Sequence, residues 1–211
     1  MRTLLLLVFL STLIQAQHLG IGVKGGAVFT DTFTNIPVSN VRTDESKRYT
    51  VGPMVELELP KGFGMEFDAL YRRIGFTDVS NVAGPSVVRE RDHSWEFPIL
   101  GKYTLRRWAS QPFVSSGYSF RSVSGAYSGT YEQHVVLPVG PVQRFDGKTS
   151  YEGTGGFVLG GGVEFHVSRI RIAPELRYTR WNGVFADSGP SGLFRSSTQN
   201  QVELLFGFSW R

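Results

Sequence analysis

Residues 94–105 read SWEFPILGKYTL, and the pattern of this stretch decides the fold class. Apolar side chains such as Trp95 and Phe97 occupy nearly every second position, and the charged residues Glu96 and Lys102 lie on the opposite face. An alternation with period two is typical of a β-strand with one apolar and one polar face. The stretch is about 12 residues long, which exceeds an ordinary globular strand and is enough to cross a lipid bilayer.

The same alternation recurs along the rest of the chain. The apolar positions of the eight segments begin at Leu19, Tyr49, Phe63, Trp95, Val114, Phe157, Ile170 and Val202. Long polar connections at 31–47, 77–92, 125–154 and 182–196 alternate with short ones at 60–62, 106–111 and 168–169. Long loops at one end and tight turns at the other are typical of a transmembrane β-barrel. We therefore predict an all-β fold, an eight-stranded antiparallel up-and-down transmembrane barrel with both termini at the short-turn end.

The composition excludes several other classes of protein. The chain has 211 residues, of which 41% are hydrophobic, too many for intrinsic disorder. It has no cysteine, which excludes disulfide scaffolds and thiolate metal sites. The net charge of +4 comes from dispersed bases, whereas a nucleic-acid-binding protein would cluster them on one face. We expect no nucleic-acid partner and no cofactor.

The N-terminus has the layout of a targeting segment. A short basic start is followed by an apolar stretch at residues 4–14, which is too short to span a bilayer, and then by Ala16 at a plausible cleavage point. We predict a signal peptide at residues 1–16 and the barrel at residues 17–211. The alternative interpretation is a buried N-terminal strand or helix.

Periodicity alone does not show whether the apolar face of the barrel points into the lumen or outward. A soluble lipocalin-like barrel would put the apolar face inside, and a membrane barrel would put it against lipid. The aromatic residues form two groups near the strand ends, as interfacial girdles do. One group is Phe29, Tyr49, Tyr71, Trp95, Phe157 and Tyr178, and the other is Phe63, Tyr103, Phe113, Phe165, Phe208 and Trp210. Glycines on the polar face also suit a narrow lumen filled by side chains, so we predict a lipid-facing apolar surface.

The predicted lumen face is strongly charged. Its acids are Glu56, Glu58, Glu66, Asp68, Glu96, Glu164, Glu175 and Glu203, and its bases are Arg48, Arg72, Lys102, Arg121, Arg171 and Arg177. Unpaired charges in so narrow a space are costly, so we expect ion pairs. Antiparallel registers would place Arg72 opposite Glu96, Glu66 opposite Lys102, His166 opposite Arg171 and Arg177 opposite Glu203. We interpret the network as an ionic plug, with a narrow ion path as the alternative.

Catalytic patterns are weak in this sequence. Two of the four histidines lie close to a serine, in the pairs His93–Ser94 and His166–Ser168, but neither pair belongs to a longer signature. A catalytic triad is defined by geometry that one sequence does not supply. No two histidines have the spacing of metal ligands, and the glycine runs at 153–156 and 160–162 match no nucleotide-binding loop. We predict that the protein is not an enzyme.

Several stretches together carry a resemblance to a known family. They are residues 95–103 (WEFPILGKY), 112–117 (PFVSSG), 173–181 (APELRYTRW) and 202–210. The mature chain resembles the small eight-stranded OmpA/OmpX-type barrels of the outer membrane of Gram-negative bacteria. This resemblance implies a monomer in the outer membrane, inserted by machinery that reads a C-terminal aromatic residue. Arg211 follows Trp210 here and displaces that signal by one position.

The resemblance implies no common activity, so the role has to come from the loops. We expect a structural or surface-interaction role through the four long loops, with a narrow passive pore or an outer-membrane lipid-modifying enzyme as alternatives. The longest loop, 125–154, contains the apolar patch 135–139. This patch belongs either to a strand extension or hairpin packed above the barrel, or to an adhesive or ligand-binding ridge. The sequence does not name the ligand.

Two arginines fall on the predicted lipid face near the long-loop end. Arg73 and Arg180 are expected to contact the phosphates of lipopolysaccharide, because a guanidinium group binds phosphate through two parallel hydrogen bonds. A lipid-facing arginine costs only about 0–1 kcal/mol near the interface. The alternative is that each side chain snorkels to water.

Overall fold

The computed structural model describes residues 18–32, 41–80, 85–105, 110–132, 142–183 and 197–210. The predicted signal peptide at 1–16 and the apolar patch at 135–139 lie outside these residues, as does most of the predicted loop 182–196. Among the residues described, no helix is long and apolar enough to cross a membrane.

The described chain is almost entirely antiparallel β-sheet. The strands are β1 (His18–Val28), β2 (Val41–Asp44), β3 (Tyr49–Glu58), β4 (Phe63–Asp68), β5 (Leu70–Ser80), β6 (Ser86–Thr104), β7 (Ser110–Glu132), β8 (Val142–Val167), β9 (Ile170–Trp181) and β10 (Asn200–Trp210). A single residue, Ala69, separates β4 from β5, and β2 and β3 both pair with β5. These strands therefore occupy eight positions in the wall, and the predicted fold class is confirmed.

The sheet closes on itself through β1. Ile21 pairs with Trp210 of β10 on one side and with Val55 of β3 on the other. Because the sheet is closed, each backbone N–H and C=O group of the wall can form a hydrogen bond within the sheet. The interior of a bilayer requires this, because it offers no water. The first strand begins and the last strand ends near the tight turns, the 3₁₀ turn Pro60–Gly62 and the turn at 168–169, as predicted.

The two faces of the wall differ sharply in polarity. Outward apolar side chains that are exposed include Leu19, Ile21, Val23, Val51, Phe97, Ile99, Val114, Phe120, Leu159, Leu176, Phe206 and Phe208. Inward positions are buried and largely polar or charged. A soluble protein does not expose so continuous an apolar belt. The arrangement is that of a transmembrane barrel and excludes the lipocalin-like alternative, whose apolar face would be inside.

The prediction that 77–92 and 125–154 are loops was wrong for most of their length, because these residues continue the strands. The ladder between β5 and β6 continues to the pair Ser80 and Ser86, and β7 pairs with β8 as far as Glu132 and Val142. Polar residues are acceptable on both faces of a strand that stands in water, so hydrophobic alternation fades while backbone pairing continues. The strand-extension interpretation of the longest loop is the one observed in the described residues.

One predicted register was also wrong, by two residues. Arg72 lies opposite Ser94 rather than Glu96, and Glu66 lies opposite Leu100 rather than Lys102. With 77–92 treated as a loop, nothing fixed this register, whereas the extended hairpin does fix it. A shift of two residues keeps each side chain on its own face. The registers that place His166 opposite Arg171 and Arg177 opposite Glu203 are as predicted.

Two residues lie on the face opposite to the predicted one. Phe113 is not part of the lipid-facing girdle but is buried in the lumen, because β7 turns its odd-numbered side chains inward, and the Lys102 ammonium lies 3.9 Å from its ring centroid. Arg48 is outside the lumen, in the irregular connection between β2 and β3. Its side chain is 71% exposed and pairs with Asp31 at 3.1 Å.

Candidate functional site: the lumen and the extended sheet

The lumen nearest the tight turns holds a first layer of ion pairs. Lys102 Nζ lies 3.1 Å from Glu56 Oε1 and 2.5 Å from Glu164 Oε1. The Arg171 guanidinium bonds to Glu56, and its Nη1 atom lies 3.1 Å from Glu58 Oε1. Glu56 and Glu66 are direct cross-strand partners, and Lys102 is within 4 Å of both, which offsets the repulsion between them.

A second layer occupies the middle of the lumen. Arg177 donates to Asp68 at 2.9 Å, to Glu66 at 2.8 Å and to Glu175 at 2.9 Å. Lys24 bonds to Glu66 and lies 2.9 Å from Glu175. Two cations and three carboxylates thus share one buried cluster, and the Lys102–Glu66 contact of 3.7 Å joins it to the first layer.

A third layer lies towards the long-loop end. Arg121 Nη2 lies 3.0 Å from Glu96 Oε1, and Arg72 approaches the same oxygen at 3.8 Å. Gln201 accepts hydrogen bonds from Arg121 and from the Trp181 indole, and it donates to Glu96 at 3.1 Å. The Arg121 guanidinium also lies 3.7 Å from the Trp181 ring, a cation–π contact.

The ten residues of the predicted charge network are all buried, and nine of them make the ion pairs just described. The tenth, Glu203, faces Arg177 across the ladder, but the guanidinium binds other carboxylates. Sequence reasoning missed Lys24, which lies at the centre of the second layer. Its position on the polar face of β1 was the available signal. Gly160 makes room for this cluster, because a Cβ atom there would collide with the Glu175 carboxylate.

Above the third layer, the inner face of the wall carries both apolar and acidic side chains. Ile74, Phe76 and Val123 form a buried hydrophobic cluster. Three buried acids, Asp78, Glu90 and Asp92, lie on inward positions of β5 and β6 near this cluster. These three acids lie in the stretch 77–92 that was predicted to be a loop, so they were not among the predicted lumen charges.

The strands on one side of the barrel continue beyond the outer aromatic row, which we define as Tyr49, Tyr71 and Trp95. We call this continuation the extended sheet; it comprises residues 41–44, 73–80, 86–93, 124–132 and 142–151. On its inner face, the Phe145 ring lies 6.3 Å from Tyr127 and 6.0 Å from Tyr131.

Two glycines support these rings. Gly129 is paired with Phe145, and Gly147 is paired with Tyr127, and a Cβ atom at either glycine would collide with the ring opposite. Each aromatic ring therefore lies over a glycine in the neighbouring strand, an arrangement that stabilises glycine-containing strands. The result is an ordered aromatic cluster on the inner face of the extended sheet.

The two arginines predicted to contact lipopolysaccharide are both exposed, but they lie far apart around the barrel. Arg73 is on β5 and Arg180 is on β9, and β6, β7 and β8 lie between these strands. Arg180 donates a hydrogen bond of 2.8 Å to Asn200. The two residues therefore do not form one site.

The first histidine–serine pair does not assemble into a catalytic pair. His93 faces outward and forms a 2.6 Å hydrogen bond with Tyr71, whereas Ser94 is buried on the opposite face of the strand. His166 lies opposite Arg171, and Ser168 is in the tight turn with a φ of 57°. Across the described part of the chain, no group of three or more histidines and acids could hold a metal ion.

Comparison with known proteins identifies the fold. No family model and no curated protein sequence matches the chain. Among solved structures, Neisserial surface protein A (NspA) matches with a TM-score of 0.50 and 10% identity over 91% of this chain and 96% of that one. The N-terminal β-barrel domain of Pseudomonas aeruginosa OprF matches with a TM-score of 0.39 and 11% identity over 93% and 100%.

The first of these structural matches agrees with the closed antiparallel wall. Its low identity bears on the fold alone. The chain therefore has the fold of the small eight-stranded OmpA/OmpX-type outer-membrane barrels.

Proposed function

We propose that the chain is an integral outer-membrane protein whose barrel is a closed support and whose extended sheet is an interaction surface outside the cell. Outer-membrane barrels of this type place short turns in the periplasm and long segments outside. This orientation puts the turn at 168–169 in the periplasm and the extended sheet outside. The protein acts as a structural or adhesive component rather than as an enzyme.

The observation that carries this proposal is the unequal height of the wall. β6 begins at Ser86, nine residues before Trp95 in the outer aromatic row, which corresponds to about 30 Å along the strand. On the other side, β1 ends at Val28 and β9 ends at Trp181. An ordered sheet that stands on one side of the barrel offers a rigid face for binding, and the aromatic cluster gives that face large, stiff contact groups.

The ion pairs of the lumen support a closed barrel and weigh against the narrow-pore alternative. Each of the three layers places cations within 4 Å of carboxylates from other strands, and the hydrophobic cluster of Ile74, Phe76 and Val123 covers the third layer. In planar bilayers we expect no discrete conductance steps at neutral pH. Reproducible single-channel steps from the purified protein would favour the pore instead.

The orientation is testable because the chain has no cysteine of its own. Ser128→Cys places a thiol on an exposed position of the extended sheet, and Arg169→Cys places one in the exposed tight turn. In intact cells, a membrane-impermeant maleimide should label the variant at 128, and the variant at 169 only after the outer membrane is permeabilised. The opposite labelling pattern, or recovery of the protein in the soluble periplasmic fraction, would contradict the proposal.

A further inference from the structure

A group of cations lies on the outward face of the wall, next to the outer aromatic row. The backbone N–H of Lys47 donates to the carbonyl of Arg73 at 2.9 Å, so the two residues are neighbours across the ladder. In the next strand, Arg73 pairs with His93, and Gly75 pairs with Arg91. We call Lys47, Arg73 and Arg91 the basic row; all three are exposed.

No member of the basic row forms a close ion pair with a described acid. The nearby acid, Glu45, is already engaged, because Arg89 binds it through two nitrogens at 3.1 and 2.7 Å and Thr77 donates to it at 2.8 Å. These hydrogen bonds, from Arg89 above all, hold the pKa of Glu45 below its usual value. No ion pair joins any member of the basic row to another described residue. The acid nearby is thus already bound to Arg89, and Arg91 interacts with it only at longer range.

The height of the basic row identifies the anion that would meet it. Tyr71 and Trp95 lie one step below, with ring centroids 5.2 Å apart, and the exposed apolar belt continues below them. Aromatic rows of this kind lie at the level of the lipid headgroups. The charges that meet the basic row are therefore those of lipid headgroups.

Gly75 separates the two arginines of the basic row. It is two residues from Arg73 on its own strand, and it pairs with Arg91 across the ladder. A Cβ atom there would come within 2.6 Å of the Glu90 carbonyl oxygen, so the backbone itself favours glycine. The two exposed arginines lie on neighbouring strands, and a guanidinium group binds phosphate through two hydrogen bonds.

We propose that the basic row binds a phosphate group of a phosphorylated glycolipid in the outer leaflet, such as lipid A. The proposal rests on the outer-membrane placement proposed above. It extends the expectation for Arg73 to a three-residue site on one wall and separates it from Arg180. Arg180 lies on the opposite wall, where its recorded partner is the neutral Asn200, so it provides a matched control.

The test uses the full chain folded into phosphatidylcholine vesicles with increasing fractions of bisphosphorylated lipid A. Stabilisation by the lipid is measured as the midpoint of urea unfolding, and the folded fraction is detected by its heat-dependent mobility on gels. For wild type, the midpoint should rise and saturate with lipid A, and dephosphorylated lipid A should give no rise. Each basic residue near an anionic surface contributes about fivefold in affinity, so Lys47→Gln/Arg73→Gln/Arg91→Gln should raise the half-saturating fraction about a hundredfold.

The controls separate the possible causes. Arg180→Gln should respond to lipid A like wild type, and Arg73→Lys/Arg91→Lys, which keeps the charge, should retain most of the response. If the triple variant does not fold, Lys47→Gln/Arg91→Gln provides the same comparison, with a smaller expected loss of lipid A affinity.

Four results would overturn the proposal. Equal unfolding midpoints of wild type and triple variant in both lipids would mean that the arginines only snorkel. Stabilisation of the folded protein by inorganic phosphate alone would indicate a soluble ligand. If Arg180→Gln weakened the response to lipid A as much as the triple variant does, the response would depend on the net charge of the protein and not on the basic row. A wild-type protein that folds in none of the vesicles would instead contradict the outer-membrane placement and, with it, this site.

Discussion

The membrane-spanning belt and the extended sheet are built from the same strands, but the polarity of their outward faces is reversed along β6. Along β6, Trp95 and Phe97 face outward in the belt and Glu96 faces the lumen. Farther along the same strand, Arg89 faces outward and Val88 is buried on the inner face. The faces of the strand stay the same, and the solvent outside the wall changes from lipid to water. The sequence therefore marks the membrane boundary where the outward residues change from aromatic to basic.

The two regions are also stabilised differently. In the belt, the lumen is filled by ion pairs that connect strands on opposite sides of the barrel, such as Arg177 with Asp68. In the extended sheet, aromatic rings pack over glycines of the neighbouring strand. Buried ion pairs are costly to break, because the remaining partner stays charged and desolvated. Substitutions in the belt should therefore cost more than equivalent substitutions in the extended sheet.

The largest effect is expected for Lys102→Glu. This change removes the cation that lies within 4 Å of Glu56, Glu66 and Glu164 and adds another carboxylate. Loss of one partner from a buried network costs about 3–5 kcal/mol, so the variant should lose the folded, heat-modifiable band on gels. Lys148→Glu on the exposed face of the extended sheet is the matched control and should fold like wild type. A normally folded Lys102→Glu protein would contradict the lumen assignment.

A smaller loss is expected for a charge on the lipid-facing surface. Ile99 lies between Trp95 and Tyr103, midway through the belt, and it is exposed on the outer face. Ile99→Arg should destabilise the protein by about 2–4 kcal/mol in urea unfolding from vesicles. Ser128→Arg, on the outward face of the extended sheet, should change stability little. Equal costs at the two positions would mean that the polarity reversal does not mark the membrane boundary.

The aromatic cluster should contribute to the extended sheet alone. Tyr127→Ala removes one ring from the contact with Phe145, and an aromatic pair of this kind contributes about 0.5–1.5 kcal/mol. Hydrogen exchange should become faster at residues 124–132 and 142–151. Exchange in the belt should stay unchanged, and a global loss of protection would show that the two regions are not independent.

The smallest effect concerns the pH dependence of β2. The Glu45 carboxylate is stabilised by Arg89 and Thr77, and its pKa is lowered from 4.5. This stabilisation is present above pH 4.5 and is lost as the pH falls through the lowered pKa in the folded protein. Hydrogen exchange at residues 41–47 should therefore increase only in acid, and Glu45→Gln should remove that dependence. The same acid response in Glu45→Gln would assign it to another group.

The sequence predicted the belt well because lipid on one side and a narrow lumen on the other impose strict alternation. That pattern identified the strand faces except at Phe113 and Arg48, and it identified the ion-paired charges of the lumen apart from Lys24. It did not predict the extended sheet, because water on the outside removes the alternation at residues 77–92. For the same reason, the predicted register between β5 and β6 was wrong by two residues, and Arg91 was not recognised as a lipid-facing cation. Backbone pairing, which the sequence does not display, decides the structure there.

The reversal of polarity along β6 can be measured directly with single spin labels at odd-numbered positions from 87 to 103 in vesicles. The account predicts that labels at 95–103 are more accessible to oxygen, which concentrates in lipid. Labels at 87–93 should be more accessible to a water-soluble nickel complex, with the change between His93 and Trp95. Uniform access of the nickel complex to all of these positions would contradict a transmembrane barrel with an extended sheet in water.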